Sequence, residues 1–506
     1  MNRKLKYIIR RCENTVLFAI KTIMLVSLFV AFFGVYSYLI PELRVFNRTS
    51  IISYGTFVVA ILLFIRIYGG FSVGEKKSKE IVNSMLLATL MADIITFLEM
   101  YIMGLSTTQI HNFADNHLNL SVIPPLQDIP MKYFLQYYFT TRVLPGLGLL
   151  VIVFVLQVLL LYIFSYFGNF VYFKINHPQK SLIVYQDESL LPTVIPKIQK
   201  YKKQWRINRL IKYDDPDIKG ALLGHSTIFF LDVPKNERTR QVEYCYAHNK
   251  NIYILPDVSD IILNHASHVV VDDTAMFAST KQSMSFEQMI IKRICDIIFA
   301  VIMILLSSPF MIISALAIKI YDRGPVFYKQ ARLTKGGREF NVLKFRSMIV
   351  DAEKNTGAML STENDDRITP VGKILRRFRL DELPQLFNIL KGDMSVVGPR
   401  PERLVIAKEY EKELPEFRYR LKVKAGLTGL AQIMSKYNTT PKDKLALDLE
   451  YIAQYSIWLD IKLILQTMIV FLKKDSTEGV TQQDDDINTI LEEIDKGATK
   501  PSDKPK

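Results

Sequence analysis

ICDIIFAVIMILLSSPFMIISALAIKI, residues 294–320, is long enough to cross a bilayer, and whether it crosses decides where everything after it lies. Its flanks argue against crossing. Lys292 and Arg293 precede it, while Lys319, Arg323, Lys329, Arg332 and Lys335 close or follow it. Positive residues collect on the cytoplasmic side of membrane segments, and here both ends carry that mark. At the centre stand Ser307, Ser308 and Pro309. Proline has no N–H and its ring clashes with the carbonyl four residues back, so a helix kinks or breaks there. The Ser308 hydroxyl can bond a freed carbonyl. Each arm then has about 13 residues, ~20 Å at 1.5 Å per residue, short of a ~30 Å hydrocarbon layer. The pattern predicts a re-entrant helix broken at Ser308 and Pro309, the alternative being a kinked spanning helix.

Upstream, residues 16–40, 51–68, 81–105 and 143–167 are apolar stretches. Each is near the ~20 residues a spanning helix needs. Arg3, Lys4, Lys6, Arg10 and Arg11 precede the first, and Lys76, Lys77 and Lys79 separate the second from the third. The alternate loops hold only Arg44 and Arg48, then Lys132 and Arg142. Four spans with both ends in the cytoplasm follow from that bias. Asp93 and Glu99 fall within the third span, where ionisable groups are costly. They read either as functional or as helix-pairing and interfacial residues.

The 506 residues carry a formal charge of +14, which calls for an anionic partner. The apolar residues are concentrated before Phe173 and in the 294–320 run, so membrane and phosphates are favoured and nucleic acid is not expected. Cys12, Cys245 and Cys295 have no metal-ligand spacing and read as reduced thiols facing the cytoplasm. The first apolar run is too long for a cleaved secretory leader and is followed by others.

Between the two apolar blocks, SLIVYQ, STIFFLDV, NIYILPD and ASHVVVDD alternate with helical runs. They predict a small α/β unit with a parallel sheet, Rossmann-like but degenerate. Asp187-Glu188-Ser189 follows the first strand where a dinucleotide site needs glycines, so packing or interaction is its expected role. His265 and His268 lack the partners of a zinc site and read as structural.

After the 294–320 run comes GPVFYKQARLTKGGREFNVLKFRSM, residues 324–348, two alternating strands around Lys335-Gly336-Gly337. Lys329, Arg332, Lys344 and Arg346 are either phosphate contacts or a solvated basic surface. Then follows NDDRITPVGKILRRFRLDELPQLFNILKGDMSVVGPRPE, residues 364–402. Residues 372–379 are basic and amphipathic, suited to a membrane interface. Pro384 is tolerated in a first turn, so a helix is expected at or just after Asp381, its N-terminus a seat for phosphate. Taken alone, Asp381 reads better as an N-cap and Glu382 as a first-turn acid.

The surroundings alter that balance. Lys292-Arg293-x-x-Asp296, Ser308-Pro309, Gly324-Pro325-Val326-Phe327, Lys344-Phe345-Arg346-Ser347-Met348 and Leu380-Asp381-Glu382-Leu383-Pro384-Gln385 occur in one order. Gly392-Asp393-Met394-Ser395 and Val397-Gly398-Pro399-Arg400-Pro401 complete the set. Over residues 285–473 the chain resembles the bacterial polyprenyl-phosphate hexose-1-phosphate transferases, the monotopic phosphoglycosyl transferases. The first two domains resemble the long form of that family in layout only. The resemblance implies that Asp381 attacks the β-phosphate of a UDP-sugar, releases UMP, and passes the sugar phosphate to polyprenyl (undecaprenyl) phosphate. This would be the first membrane step of exopolysaccharide, capsule or O-antigen assembly. It also implies Mg²⁺ served by Glu382, a phosphate contact at Arg376, and Pro399, Arg400 and Pro401 at the uridine end. Two departures stand out: Thr334 where the family commonly has glycine, and Ala425-Gly426-Leu427-Thr428-Gly429-Leu430 where it has Pro-Gly-Leu-Thr-Gly-Trp. Met434-Ser435 stands where the same motif continues with Asn-Gly. The loss of the Trp and of the Asn-Gly bears on which sugar is taken, not on the core chemistry. Asp365-Asp366-Arg367 reads as local structure, not as a metal-binding D-x-D.

The expected fold is therefore an α+β membrane protein. Residues 1–173 form a four-helix transmembrane block and 174–284 the small α/β domain. Residues 285–473 form a catalytic domain anchored by the re-entrant helix and by amphipathic interfacial helices, the last at 455–473, and 474–506 a disordered polar tail. The expected setting is the cytoplasmic face of a bacterial plasma membrane, with a homo-oligomer, a dimer, as the assembly. Rival readings are an inactive scaffold and a glycosyltransferase that releases UDP.

Overall fold

In the computed structural model the described residues are 13–103, 131–264, 266–279, 284–350, 352, 365–435 and 439–472. Arg3 to Arg11, Cys12, His265 and the tail after residue 473 lie outside them. The chain divides into two compact units, Met1–Lys180 with Lys197–Arg206, and Ser181–Pro196 with Ile207–Lys506.

The first unit holds four long apolar helices, Glu13–Leu39, Arg48–Tyr68, Ser78–Met103 and Leu144–Ile175. All are long and apolar enough to cross a membrane, as expected. The last is reached through a short helix, Met131–Tyr138, and a π turn, Phe139–Val143. Asn47 starts the second helix with a capping box: its Oδ1 accepts from Ser50 N at 2.8 Å and its own N–H donates to Ser50 Oγ at 3.0 Å. Gly69, at φ 98°, ends it. Asp93 is fully buried and accepts from Gln157 Nε2 at 3.3 Å, an amide that also donates to Leu28 O at 3.2 Å. Ser53 Oγ donates to Glu99 Oε1 at 3.3 Å. The two acids thus join neighbouring helices, since polar side chains among apolar helices find partners in one another.

In the second unit, strands β1 (Gln179–Tyr185), β2 (Trp205–Lys212), β3 (Thr227–Leu231) and β4 (Asn251–Ile254) form one sheet in the order β2-β1-β3-β4. β1–β3 and β3–β4 are parallel, in register Ser181 with Thr227 and Thr227 with Asn251. Two expectations are corrected. The run ASHVVVDD leaves the sheet: β5 (Ser267–Val271) pairs antiparallel with β6 (Thr274–Ala278). Asp272, at φ 60°, makes the two-residue turn that sends the chain back. The sheet's fourth member is β2, an edge strand in which Arg206, Arg209 and Lys212 interrupt the apolar alternation. Charge on an edge strand protects it and also hides it from a hydrophobic pattern.

The 294–320 run lies within one helix, Phe286–Asp322. Ser285 starts it with a second capping box, and Arg323 ends it at φ 57°. No break occurs at Ser308-Pro309, which corrects the expected helix–break–helix. Pro309 deprives Leu305 O of its N–H donor, and the Ser308 hydroxyl replaces it at 2.9 Å. Ser307 Oγ bonds Met303 O one residue row away, at 2.6 Å.

The start of this helix clamps three other elements. Arg293 donates to Ile389 O and Leu390 O at 2.6 and 2.7 Å, closing the helix Gln385–Lys391. Asp296 Oδ1 accepts from Ser395 Oγ and Val396 N at 3.0 and 2.9 Å. Lys292 pairs with Asp460 at 2.5 Å on the last helix, Ile457–Leu472. That helix buries Leu463 and Gln466 and leaves Trp458, Ile461 and Met468 exposed, one-sided as expected. β7 (Phe327–Leu333) and β8 (Glu339–Phe345) form the expected hairpin, with Gly336 and Gly337 at φ 72° and 77° in its turn. β9 (Ser395–Val397) lies parallel to β10 (Gly426–Thr428). They approach so closely that a Cβ on Gly426 would meet Gly398 N at 2.1 Å. Packed around them is a core that includes Leu386, Ile389, Val397, Phe417, Leu445 and Leu449.

Candidate active site

Asp381 and Glu382 sit at the junction of two short helices. The first, Pro370–Arg377, begins with Thr369, whose Oγ1 accepts from Gly372 N at 2.9 Å. Gly372 has no room for a side chain, because a Cβ there would lie 1.9 Å from Ser347 O. The helix therefore rests directly on the Phe345–Met348 backbone, and Arg376 Nε reaches Ser347 Oγ at 2.9 Å. Arg379, at φ 53°, reverses the chain, and Leu380–Glu382 form a 3₁₀ turn. The α-helix starts only at Gln385, with Pro384 before it. This corrects the expected helix start at Asp381. The left-handed Arg379 and Pro384 constrain the chain between them, and a tight turn fits that interval. Asp381 is consequently no N-cap.

The two adjacent carboxyls have different surroundings. Asp381 is 9 % exposed. Burial and the neighbouring Glu382 raise its pKa from 3.8 to about 6, against the charges of Lys344, Arg376 and Arg400. Burial also opposes ionisation of Glu382, but Lys344, Arg400 and Arg379 outweigh it and hold that carboxyl well below the usual range. Lys344 Nζ and Arg400 Nη2 both reach Glu382 Oε1 at 3.1 Å. The Arg400 guanidinium is in turn pushed up, chiefly by Glu382. Burial lowers Arg376, with Asp381 and Asp365 acting against it.

The Pro399-Arg400-Pro401 loop is held by its backbone. Gly426 N donates to Pro399 O at 2.9 Å, Arg420 to Arg400 O at 3.0 Å, and Arg332 to Pro401 O at 2.9 Å. Both prolines are buried and Arg400 is free to turn toward Glu382. Arg420 is itself buried against Asp448 at 2.8 Å.

Of the residues singled out from sequence, Lys344, Arg376 and Arg400 act electrostatically on Asp381. Arg346 does not join them; it is buried and paired with Asp322, fixing the end of the long helix. Lys329 lies on the exposed face of β7. Asp365 takes a two-pronged bond from Arg367, Nε at 2.8 Å and Nη2 at 2.7 Å, as local structure. Arg379, Thr428 and Gln432 border a cavity beside Glu382 and were not singled out. Only the left-handed turn, invisible in sequence, brings Arg379 there.

Residues 287–474 match the bacterial sugar transferase family. A UDP-glucose:undecaprenyl-phosphate glucose-1-phosphate transferase of Caulobacter vibrioides (strain ATCC 19089 / CIP 103742 / CB 15) is 38% identical over 190 residues, 37% of this chain and 71% of the relative. The chain belongs to this bacterial sugar transferase family. A UDP-N-acetylgalactosamine-undecaprenyl-phosphate N-acetylgalactosaminephosphotransferase of Aeromonas hydrophila is 43% identical over 185 residues, 36% of this chain and 44% of that protein. A UDP-glucose:undecaprenyl-phosphate glucose-1-phosphate transferase of Xanthomonas campestris pv. campestris is 38% identical over 226 residues, 43% and 47% of the two chains. The chain thus spans less than half the length of these last two relatives. Both Asp381 and Glu382 fall inside the part that matches the sugar transferase family.

Proposed function

We propose that the protein is a phosphoglycosyl transferase that moves a hexose-1-phosphate from a UDP-sugar to undecaprenyl phosphate on the cytoplasmic face of a bacterial plasma membrane. The observation that carries this is the unequal Asp381–Glu382 pair, one carboxyl locked in ion pairs and the other titrating near 6 within a ring of cations. A carboxylate of that pKa is ionised at neutral pH and still nucleophilic. An Asp381 oxygen attacks the β-phosphorus, and the bond from that phosphorus to the α–β bridging oxygen breaks. UMP leaves with the electron pair, and the sugar phosphate stays on Asp381 as an acyl phosphate. An oxygen of undecaprenyl phosphate then attacks the same phosphorus and the Asp381 carboxylate departs, leaving undecaprenyl-diphosphate-sugar. Lys344, Arg376 and Arg400 supply fixed positive charge where phosphate charge develops.

Among the described residues no group of three or more His, Cys, Asp or Glu side chains gathers to cage a metal. Glu382 Oε1 is occupied by Lys344 and Arg400, and its second oxygen, with substrate phosphates, would offer the sparse oxygen set that Mg²⁺ accepts. Bound there, Mg²⁺ would neutralise diphosphate charge. In this reading Phe286–Asp322 enters and leaves the membrane on the cytoplasmic side, as its basic flanks require. A kink at Pro309 would supply the bend.

The test is a nucleotide assay. Membranes holding the protein are given undecaprenyl phosphate and a panel of UDP-sugars. UMP is the expected product from one of them. UDP would mean an ordinary glycosyltransferase, and neither nucleotide from any sugar would leave a scaffold.

A further inference from the structure

Beside Glu382 the protein contains a cavity of about 210 Å³. Arg379 and Glu382 lie on its border, while Phe299, Met303, Leu386 and Ile464 line its body. Thr428 and Thr467 are also in the wall, but their hydroxyls bond each other at 2.7 Å, and Thr467 bonds Leu463 O at 2.7 Å. Gln432 directs its amide to Gly426 O at 3.4 Å. The two threonine hydroxyls are thus committed to one another and to backbone, so burying a sugar ring in the body of the cavity costs more than burying a hydrocarbon. A hydrocarbon would lose nothing.

Two walls come from helices whose outer faces are apolar, with Ile302, Leu305 and Leu306 exposed on one and Trp458, Ile461 and Met468 on the other. With the membrane placement proposed above, a chain leaving the cavity between them would meet lipid. An apolar cavity of about 150 Å³ takes a benzene-sized hydrocarbon, so this one has room for about one or two five-carbon isoprene units.

We propose that this cavity seats the first isoprene units of the lipid phosphate acceptor, with the phosphate held at Arg379 on the border it shares with Glu382. The inference rests on the reaction proposed above and adds to it a place for the acceptor. An apolar body with the Arg379 guanidinium at its border matches the two halves of a prenyl phosphate. The reacting end of the lipid is then held inside the protein, and only its tail stays in the bilayer.

The full chain in lipid nanodiscs serves for the test, with farnesyl phosphate and undecaprenyl phosphate as acceptors. Met303→Trp fills the cavity and is expected to raise KM for either acceptor about tenfold, at an unaltered KM for the UDP-sugar. Arg379→Ser is expected to raise the acceptor KM as well. A benzophenone-bearing prenyl phosphate gives a readout on the unaltered chain: labelling within residues 299–303 or at Ile464 is expected. Labelling confined to the outer faces at Leu305, Leu306 or Trp458, or equal changes in both KM values, would overturn the proposal. Failure of the unaltered chain to release UMP from any UDP-sugar would instead overturn the reaction on which it rests.

Discussion

Asp381 and Glu382 are neighbours in sequence but not in environment, and the difference is testable. Asp381→Asn should abolish UMP release and any trapped phosphosugar adduct; an adduct on the Asn variant would remove Asp381 as nucleophile. The raised pKa of Asp381, from 3.8 to about 6, also has a sign. The folded protein holds this proton where the unfolded chain has released it, so stability from this group is present at low pH and is lost as pH rises toward 6. Asp381→Asn should therefore raise the unfolding temperature more at pH 8 than at pH 5. Activity should run the other way, with kcat/KM falling about tenfold per pH unit below about 6.

A second residue-scale test concerns the two departures from the family pattern. Thr334 is buried, donates to Asp393 O at 2.8 Å and accepts from Ala425 N at 3.2 Å. The family's proline at position 425 has no N–H, and its glycine at 334 has no hydroxyl, so each departure supplies what the other needs. Thr334→Gly alone strands a buried N–H and should cost about 1–3 kcal/mol. Adding Ala425→Pro removes that N–H, and thermal unfolding of the four variants should show a coupling above about 0.5 kcal/mol.

At the scale of elements, the long helix survives its proline because Ser308 substitutes for the missing donor. Ser308→Ala should cost about 1 kcal/mol, with the loss largely recovered when Pro309→Ala restores the N–H to Leu305 O. A helix whose stability ignored both changes would mean that the hydroxyl is idle. Arg293 acts on a different element, closing the helix that follows the Asp381–Glu382 turn with two carbonyl contacts. Arg293→Ala should lower stability by about 1.5–3 kcal/mol, as loss of bonds from a charged group implies. The Lys292-Arg293-x-x-Asp296 motif is thus a clamp, each member gripping a separate element.

At the scale of the whole molecule, the surroundings of the Asp381–Glu382 turn are assembled from segments distant in sequence. Arg420 and Asp448 support Arg400 from behind, and Arg400 contacts Glu382. Arg420→Met would leave Asp448 buried and unpaired, at a cost of about 3–5 kcal/mol in chemical unfolding. Topology belongs to this scale too. In a chain with Cys12, Cys245 and Cys295 replaced by serine, Met434→Cys, at an exposed position, should react with an impermeant thiol reagent only from the cytoplasmic side. Labelling only from outside would mean that the long helix spans the bilayer.

What the chain determines locally was legible. The four apolar helices, the glycine-turned hairpin and the candidate Asp381–Glu382 pair follow from periodicity, composition and motif, which depend on nearest neighbours. What depends on distant partners was not legible. Arg346 resembles its basic neighbours in sequence, yet Asp322 takes it away from the cations around Asp381 and Glu382. The run at Ser267 carries a strand pattern, but the turn at Asp272 decides its partner. The separation of Asp381 from Glu382 in charge, and the cavity beside them, arise only when burial and cations from four segments converge. Short-range order is written in the side chains themselves, whereas desolvation and ion pairing exist only once the fold has brought those side chains together.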